Sequence, residues 1–275
     1  MDLFTPQYPT EFISFGSGSS GNCYMLRRGP ESVLIDLGVG IRSFKRYLHQ
    51  YAVSPRNVRA IFVTHDHTDH VKAVGKFAAE AGMPVYATAA VHEGMRRNRF
   101  MTRKVPDEQV RTLTVGEPVE VLGLTFTPFP VVHDSADCVG YRIESPGFTF
   151  CLATDVGSVT DDVRRAVSQA DYLVLESNYD IAMLATGRYP QRLKDRITGG
   201  RGHLCNDDTA DLLATSLKPG VRHVWLCHLS EENNTPDLAL KTVTSRLEKA
   251  GLQPGEAFRL DALPRTRPNG FCTLD

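Results

Sequence analysis

The chain has 275 residues, of which 41% are apolar and 23% are charged, and its formal net charge is −1. This composition excludes an intrinsically disordered chain, and the near-neutral charge excludes nucleic-acid binding through bulk charge, so any such binding needs local patches. No apolar run approaches the roughly 18 residues of a membrane helix, and the first twelve residues carry no basic segment followed by an apolar one, so we expect no membrane span, no secretory signal and a cytoplasmic location.

Short apolar runs bounded by Gly, Pro or Asp recur along the first half of the chain and predict β-strands. These runs are EFISF, CYMLRR, SVLIDLG, AIFVTH, PVYAT, LTFTPFPVVH and FTFCLATD. Helical periodicity covers residues 41–51, 70–81, 89–99, 158–168, 206–216 and 235–250. Because no linker or fixed repeat interrupts the sequence, we predict one domain over residues 1–275, in which sheet packs on sheet with helices outside.

Six cysteines are spread along the chain without a CxxC pair. Cys138, Cys151 and Cys227 lie in or beside apolar, strand-like runs. The pattern favours buried free thiols over disulfides or zinc ligands.

The segment THDHTDH follows the apolar run AIFV and leads into a predicted helix. In an extended segment alternate side chains face the same side, so we expect His65 and His67 to point one way and Asp66 the other. Asp69 and His70 fall on the turn into the helix, where they can face a second point in space. A helix cap explains one of these polar side chains but not three histidines. The segment therefore predicts a loop that supplies two metal sites.

Three further candidate ligands each follow an apolar strand. His133 closes PFPVVH, Asp155 closes FCLATD and His228 closes VWLCH. A single His after a strand is more often a structural residue, but three such endings together with THDHTDH favour a metal centre assembled from rigid elements.

This order of ligands, HxHxDH and then a His, an Asp and a final His, resembles the metallo-β-lactamase fold, and Asp36 in SVLIDLG fits the early acidic motif of that superfamily. The resemblance spans about residues 12–235 and implies an α/β fold: an αββα sandwich of two mixed β-sheets packed together, with helices on the outer faces. More narrowly, FGSGSSGNCY, THDHTDH, HDS, ATDVG, ESNYD, RYPQRLKDRI, GHLCN and CHLSEENN resemble the YycJ/WalJ/VicX-type branch, whose members are described as DNA-processing nucleases. Two positions depart from that branch: Tyr179, where His is usual, and Cys205, where Ser is usual.

Carried over by motif, the resemblance implies two divalent metal ions, which could be Zn, Mn or Fe. One ion would be held by His65, His67 and His133 and the other by Asp69, His70 and His228, with Asp155 as the bridging carboxylate. The implied enzyme is a metallohydrolase that acts on DNA, as a phosphodiesterase and 5′-to-3′ exonuclease with a metal-bridging hydroxide as nucleophile. Two ions together with these carboxylates and a hydroxide leave a positive site, which suits a phosphodiester anion.

Catalytic roles fall to Asp69 and His203 in this interpretation. The segment GHLCN resembles the GHxT-like element of RNase Z relatives, which implies that His203 is a phosphate contact or general acid, although a structural His near a helix start is an equal alternative. We expect Asp36 to orient a ligand His through its second ring nitrogen, and Asp66 to do the same.

Substrate contacts are predicted from two other patterns. The glycines of FGSGSSGN favour a hairpin turn, with a backbone nest for phosphate near Ser20 and Asn22 as the alternative. The stretches MRRNRFMTRK and GRYPQRLKDRITGGRGH are basic, and the second, which supplies Arg192, Lys194 and Arg196, leads directly to His203. Such charges are usually a solvated helix face; they could instead guide DNA.

Two other functions remain open at this stage. A phosphodiesterase for small molecules such as cyclic nucleotides, or another hydrolase of the same fold, would have a closed pocket where a nuclease has an open groove. A metal-binding regulatory protein would bind metal without any metal-dependent turnover. DNA is the expected partner in the favoured interpretation.

Overall fold

The computed structural model describes residues 8–274. Residues 1–7, on which the expectation about a secretory signal partly falls, and residue 275 lie outside the described part. Within residues 8–274, fourteen strands form two seven-stranded sheets, and nine α-helices accompany them.

The first sheet is built from the first part of the chain and one returning strand. Its strands are β1 (Thr10–Gly16), β2 (Cys23–Arg28), β3 (Glu31–Ile35), β4 (Val58–Phe62), β5 (Val85–Thr88), β6 (Val110–Leu113) and β14 (Cys272–Leu274). Their order in the sheet is β14-β1-β2-β3-β4-β5-β6. The pairs from β14 to β3 are antiparallel, whereas β3, β4, β5 and β6 run parallel.

The second sheet is built from the following part of the chain. Its strands are β7 (Val119–Val121), β8 (Leu124–Pro130), β9 (Val139–Ser145), β10 (Phe148–Ala153), β11 (Tyr172–Glu176), β12 (His223–Cys227) and β13 (Arg259–Ala262). Their order is β13-β12-β11-β10-β9-β8-β7. The pairs from β7 to β10 are antiparallel and those from β10 to β13 are parallel, so this sheet is also mixed.

The helices are α1 (Ile41–Gln50), α2 (Thr68–Val71), α3 (Val74–Ala81), α4 (Ala89–Arg97), α5 (Asp161–Gln169), α6 (Ile181–Thr186), α7 (Gln191–Thr198), α8 (Asn206–Ser216) and α9 (Pro236–Lys249). Short 3-10 turns at Pro55–Asn57 and Asp107–Gln109 precede β4 and β6. In the described part of the chain, no helix is both long enough and apolar enough to cross a membrane.

Three apolar layers hold the sheets and helices together. The inner layer lies between the sheets and is rich in aromatic rings; Phe62 of the first sheet stacks on Phe126 of the second, with ring centroids 4.0 Å apart. Phe44 of α1 and Phe77 of α3 pack on the outer face of the first sheet. Residues of α5, α8 and α9 do the same for the second sheet. The observed layers are helix, sheet, sheet and helix, which confirms the predicted αββα sandwich.

The structure differs from the predicted elements in several places. The helix predicted over residues 70–81 is two helices, α2 and α3, because the chain between them turns so that the amide of Ala73 donates to the carbonyl oxygen of Leu37. The helices α6 and α7 and the strands β6, β7, β9, β11, β13 and β14 were not among the predicted elements. All six cysteines are free, and five of them are buried.

Candidate metal centre

Six strand ends converge at one edge of the sandwich. β3 and β4 are parallel, as are β10, β11 and β12, and β8 shares the direction of β10 because both are antiparallel to β9. The polar side chains that meet beyond these strand ends are Asp36, His65, His67, Asp69, His70, His133, Asp155, Glu176, His203 and His228. The rigid sheets therefore determine where most of these groups lie.

Three residues at this edge have a left-handed backbone although none of them is glycine. Asp36 and His228 directly follow β3 and β12, and Asp155 lies two residues beyond β10; their φ angles are 59°, 53° and 56°. Such a conformation costs a non-glycine residue about 1–3 kcal/mol and persists only where the surroundings impose it. Three strained non-glycine residues at one edge indicate a site where the positions of their side chains are maintained in spite of the cost in backbone energy.

Three histidines form the first group of candidate ligands, which we call the first ligand group. The ring centroids of His65 and His67 are 4.8 Å apart, and they lie 5.1 and 5.0 Å from the ring of His133. Nδ1 of His133 is 2.9 Å from the backbone oxygen of Gly202, so this nitrogen donates its hydrogen and Nε2 is the atom left to accept. Each ring offers a nitrogen within 4.8 Å of the others, a spacing that suits one cation.

The second ligand group joins α2 to the end of β12. Oδ2 of Asp69 lies 3.3 Å from Nε2 of His228 and 3.6 Å from Nε2 of His70. Asp155 stands between the two groups, since its Oδ2 is 3.2 Å from Nε2 of His70, while its Oδ1 is 3.6 Å from Nε2 of His228 and 3.7 Å from Nε2 of His133. The two oxygens of Asp155 can therefore reach a cation in either group.

Asp36 and Thr64 hold two of the rings in place from behind. Oδ2 of Asp36 lies 2.7 Å from Nδ1 of His70 and accepts a hydrogen bond from the Thr64 hydroxyl, while its Oδ1 accepts one from the Thr64 amide. The same hydroxyl lies 3.0 Å from Nδ1 of His65. These contacts engage Nδ1 of both rings, so Nε2 is the atom that each presents to the centre.

The residues present fit divalent cations. Nε2 of His65 is buried and has no hydrogen-bond partner among residues 8–274, which is costly for a nitrogen that no cation occupies. Burial lowers the pKa of His65 well below its usual value, so the ring stays neutral, as a ligand requires. Burial alone would also lower the pKa of His228, but Asp155, Asp69 and Glu176 raise it to about 10, so these carboxylates already attract positive charge.

Glu176 is a buried site residue that the sequence analysis missed. It is the last residue of β11 and is fully buried. Its Oε1 lies 2.7 Å from Nδ1 of His203 and 3.2 Å from Nδ1 of His228, and its Oε2 accepts hydrogen bonds from the amides of Val156 and Leu204. The sequence contains a signal for this residue. The apolar run YLVLE closes with Glu176, just as three other apolar runs close with His133, Asp155 and His228.

A cleft of about 150 Å³ opens beside the centre, between α7 and His203. Arg196 lies on its rim, donates two hydrogen bonds to Asp134 and has 53% of its side chain exposed. Oδ1 of Asp134 is 3.4 Å from Nε2 of His133, so the ion pair connects the basic helix to the first ligand group. The exposed part of the Arg196 guanidinium is free to face an anion in the cleft.

The glycine-rich loop between β1 and β2 lies against the second ligand group. Nδ2 of Asn22 is 2.9 Å from Nε2 of His70 and 3.3 Å from Oδ2 of Asp69. The structure brings Ser19, and not Ser20, to the cleft that His203 lines. Ser20 is exposed and lines a separate depression beside Tyr47.

The remaining predicted contacts lie farther from the rings. Oδ1 of Asp66 accepts a hydrogen bond from the amide of Ala136, and the carboxylate packs against Gly94 and not on a histidine. Lys194 donates to the backbone oxygen of Ala185, and Arg192 is exposed on α7. Asp66 is therefore not placed to orient a ligand ring, in contrast to the expectation.

The two positions at which the sequence departs from its branch lie together. Tyr179 and Cys205 form an isolated β-bridge and share a small apolar cluster with Leu184 and Ile197. Cys205 caps α8, because its sulfur accepts a hydrogen bond from the amide of Asp208 at 3.3 Å. A thiol is a weaker acceptor than a serine hydroxyl, but it occupies the same capping position.

Comparison with known proteins gives a consistent picture. The family described as "Beta-lactamase superfamily domain" matches residues 31–229. Exodeoxyribonuclease YycJ of Bacillus anthracis is 32% identical over 249 residues, which cover 90% of this chain and 93% of that protein. Exodeoxyribonuclease WalJ of Streptococcus pneumoniae is 33% identical over 257 residues, covering 93% of this chain and 95% of that protein. The metallo-β-lactamase fold protein YhfI of Bacillus subtilis superposes with a TM-score of 0.70 at 17% identity, over 95% of this chain and all of that one, and so shares the fold.

Proposed function

The chain belongs to the beta-lactamase superfamily and to its YycJ/WalJ branch, and from that premise we propose that it removes nucleotides from the 5′ end of DNA as a two-metal exonuclease. That it is a metallohydrolase follows from the family and its relatives. The DNA substrate rests on one observation above others: two relatives that are named exodeoxyribonucleases match nearly the whole chain at 32% and 33% identity. The direction of cleavage rests on the resemblance to the branch.

Seven residues would hold the two ions. His65, His67 and His133 form one group, Asp69, His70 and His228 form the other, and Asp155 reaches both. When bound, divalent ions supply Lewis acidity, which lowers the pKa of water and neutralises charge on a phosphodiester. His65 is neutral, as a metal ligand must be. Hydrogen bonds fix Nδ1 of His70 and of His133, so that these rings would bind through Nε2.

His203 is suited to protonate the oxygen that leaves the phosphorus. Nδ1 of this ring is engaged by Glu176, so Nε2 is the atom that can deliver a proton to the leaving group. Burial opposes a charged ring, but Glu176 raises the pKa of His203 above its usual value and so favours the protonated acid. His203 lines the same cleft as Arg196, so a phosphate in the cleft would meet both an acid and a cation.

The proposal covers the whole chain, residues 1–275, as one domain. The inner apolar layer is shared by strands from both parts of the chain, so neither sheet has a complete core without the other. We also propose a cytoplasmic location, because five of the six cysteines are buried free thiols, which is typical of a reducing compartment.

Degradation of end-labelled duplex DNA tests the proposed activity. Duplexes that carry a label at the 5′ end, at the 3′ end or internally are incubated with the protein and Mn²⁺, Zn²⁺ or a chelator. We expect a labelled mononucleotide to be the first product from the 5′-labelled duplex, whereas the 3′-labelled strand shortens progressively. Asp69→Ala combined with His70→Ala should abolish both events, and Lys249→Ala, at the far end of α9, should alter neither.

Three other outcomes have definite meanings. Release of the 3′ label first would reverse the proposed direction but keep the nuclease. If bis(p-nitrophenyl) phosphate is cleaved while the DNA stays intact, the substrate class is a small phosphodiester and not DNA. Two bound metal ions without turnover of either substrate would favour a metal-binding protein that is not an enzyme.

A further inference from the structure

Phe100 is the most exposed large apolar side chain of residues 8–274. Its relative exposure is 70%, compared with 54% for Ile181, 49% for Tyr8 and 40% for Val115. A single exposed apolar residue needs no explanation by itself. The position of Phe100 suggests a function, because Phe100 lines a groove that also reaches His67, a candidate ligand of the metal centre.

This groove, which we call the α4 groove, lies between α4 and the metal-binding loop. It has a volume of about 630 Å³, and its lining includes His67, Ala90, Gly94, Arg99, Phe100 and Ala136. His67 belongs both to the groove and to the first ligand group. Asp66, Glu93 and Arg97 also line the groove, with Ala90, Gly94 and Ala136 as the small residues between them. The ring of Phe100 is mostly exposed, so a flat molecule can lie on it next to the centre.

Hydrogen bonds attach Phe100 firmly to the metal-binding loop. Nδ2 of Asn98 donates to the backbone oxygen of Asp66 at 2.9 Å, and Oδ1 of Asn98 accepts from the amide of Phe100 at 3.0 Å. Lys104 donates to the carbonyl oxygens of Met95 and Asn98 and so fixes the end of α4. The side chain of Asn98 therefore links the backbone of Phe100 to the loop that carries His67.

The charge beside the ring suits a nucleic-acid backbone. Arg96 and Arg97 form ion pairs with Glu93, whereas Arg99 is exposed and forms no ion pair within residues 8–274. The groove therefore offers an aromatic face and an uncommitted guanidinium within two consecutive residues. Aromatic rings stack on unpaired bases of any sequence, and an adjacent cation contacts the phosphate that joins them.

We propose that the α4 groove binds one unpaired nucleobase of the DNA strand on the ring of Phe100, with Arg99 at a neighbouring phosphate. This inference rests on the proposed function, because the strand is the one whose scissile phosphate lies at the metal centre. A base inside a duplex has both faces covered by its neighbours, so an unpaired base is the one that can lie in the groove on the ring. In this proposal the protein acts on a single-stranded or frayed end, and a fully paired blunt end opens before cleavage.

A double-mutant cycle between protein and DNA tests the contact. Binding of hydrolysis-resistant phosphorothioate oligonucleotides, each with one abasic nucleotide at a successive position, is measured for the native protein and for Phe100→Ala. We expect one abasic position to weaken binding to the native protein by about 5- to 150-fold, the range for loss of one stacked base. Phe100→Ala should bind the intact strand equally weakly and show no further loss at that position.

Two variants sharpen the result. Tyr8→Ala removes another exposed ring, at the opposite end of β1 from the site, and should bind like the native protein. Phe100→Trp should retain binding, and its added indole should lose fluorescence when the strand binds. The native tryptophan, Trp225, is only 2% exposed and provides a constant background.

The outcomes separate this inference from the proposed function. Additive losses in the cycle, with native cleavage of DNA, would overturn the stacking contact and leave the nuclease intact. Coupled losses without cleavage would support the contact and overturn the nuclease. A protein that neither binds nor cleaves DNA would overturn both.

Discussion

Oε1 of Glu176 lies 2.7 Å from Nδ1 of His203, and Glu176 is fully buried. Burial alone would raise the pKa of Glu176, but His203 lowers it, so the group remains a carboxylate. The carboxylate in turn raises the pKa of His203. The pair therefore favours the protonated form of His203 beside the ligand groups, and its acidic member contributes no exposed surface.

Glu176→Gln should slow the reaction and change its pH dependence. The neutral amide removes the charge that raises the pKa of His203, so the ring should lose its proton at a lower pH than in the native protein. We expect kcat to fall by about 100-fold, toward the value for His203→Ala, and the alkaline limb of the pH–rate profile to move to lower pH. Because Glu176 also contacts Nδ1 of His228, metal content is measured in parallel and kcat is compared at saturating metal. An unaltered profile would remove Glu176 from proton transfer.

Asp36→Asn should weaken metal binding. Asn tolerates the left-handed backbone at this position, but its single acceptor oxygen cannot replace both carboxylate oxygens, which together accept hydrogen bonds from His70 and from the hydroxyl and amide of Thr64. We expect a loss of about 10- to 100-fold in affinity for one of the ions, measured by competition with a chromophoric chelator. Asp66→Asn is the matched control, since that carboxylate contacts no ligand ring, and equal affinity of the two variants would contradict the role of Asp36.

Metal should raise thermal stability substantially. At a free concentration of 100 times Kd, one ion that binds only the folded state adds about 2.7 kcal/mol. For a chain of this size that corresponds to a rise in Tm of about 5–10 °C. Thermal unfolding with Mn²⁺ or Zn²⁺ and with chelator measures the effect. The Asp69→Ala and His70→Ala double variant should show a smaller rise, and identical Tm values with and without metal would exclude a tight site.

Removal of basic charge from α7 should flatten the salt dependence of DNA binding. Arg192→Ala combined with Arg196→Ala should lower the slope of log K against log salt by about 1.4–1.8, if each residue contacts one phosphate. Lys241→Ala combined with Lys249→Ala removes the same charge from α9 and should leave the slope unchanged. Equal slopes for the two double variants would show that Arg192 and Arg196 do not contact phosphates and that α7 is a solvated helix.

The outline of the fold and the convergence of the strand ends were predictable from the sequence. Both depend on apolar runs such as AIFV and VWLC, which are buried on both faces and are followed within two residues by a proposed metal ligand. Three of the strands that escaped prediction carry weak patterns: β6 and β13 have exposed residues at the edges of their sheets, and β7 has three residues. Weak patterning does not explain β11, whose five residues are all buried. Edge strands need little burial, so apolar alternation does not mark them.

Helices α6 and α7 escaped prediction for a related reason. Each buries a single residue, Leu184 or Ile197, so no apolar stripe repeats along it. Glu176 escaped prediction because a glutamate is mostly exposed in folded proteins, so a glutamate at a strand end does not by itself indicate a buried site residue. Ser19 and Ser20 are neighbours in one loop, and only the fold of that loop determines which of them faces the cleft.

The division of the chain between the sheets has a consequence for the order of assembly. Asp36, His65, His67, Asp69 and His70 follow strands of the first sheet, whereas His133, Asp155 and His228 follow strands of the second. Each proposed ligand group contains residues from both. Neither coordination sphere can exist until both halves have folded and docked, so an ion loaded here would act late in folding, as a crosslink that secures the junction between the two halves.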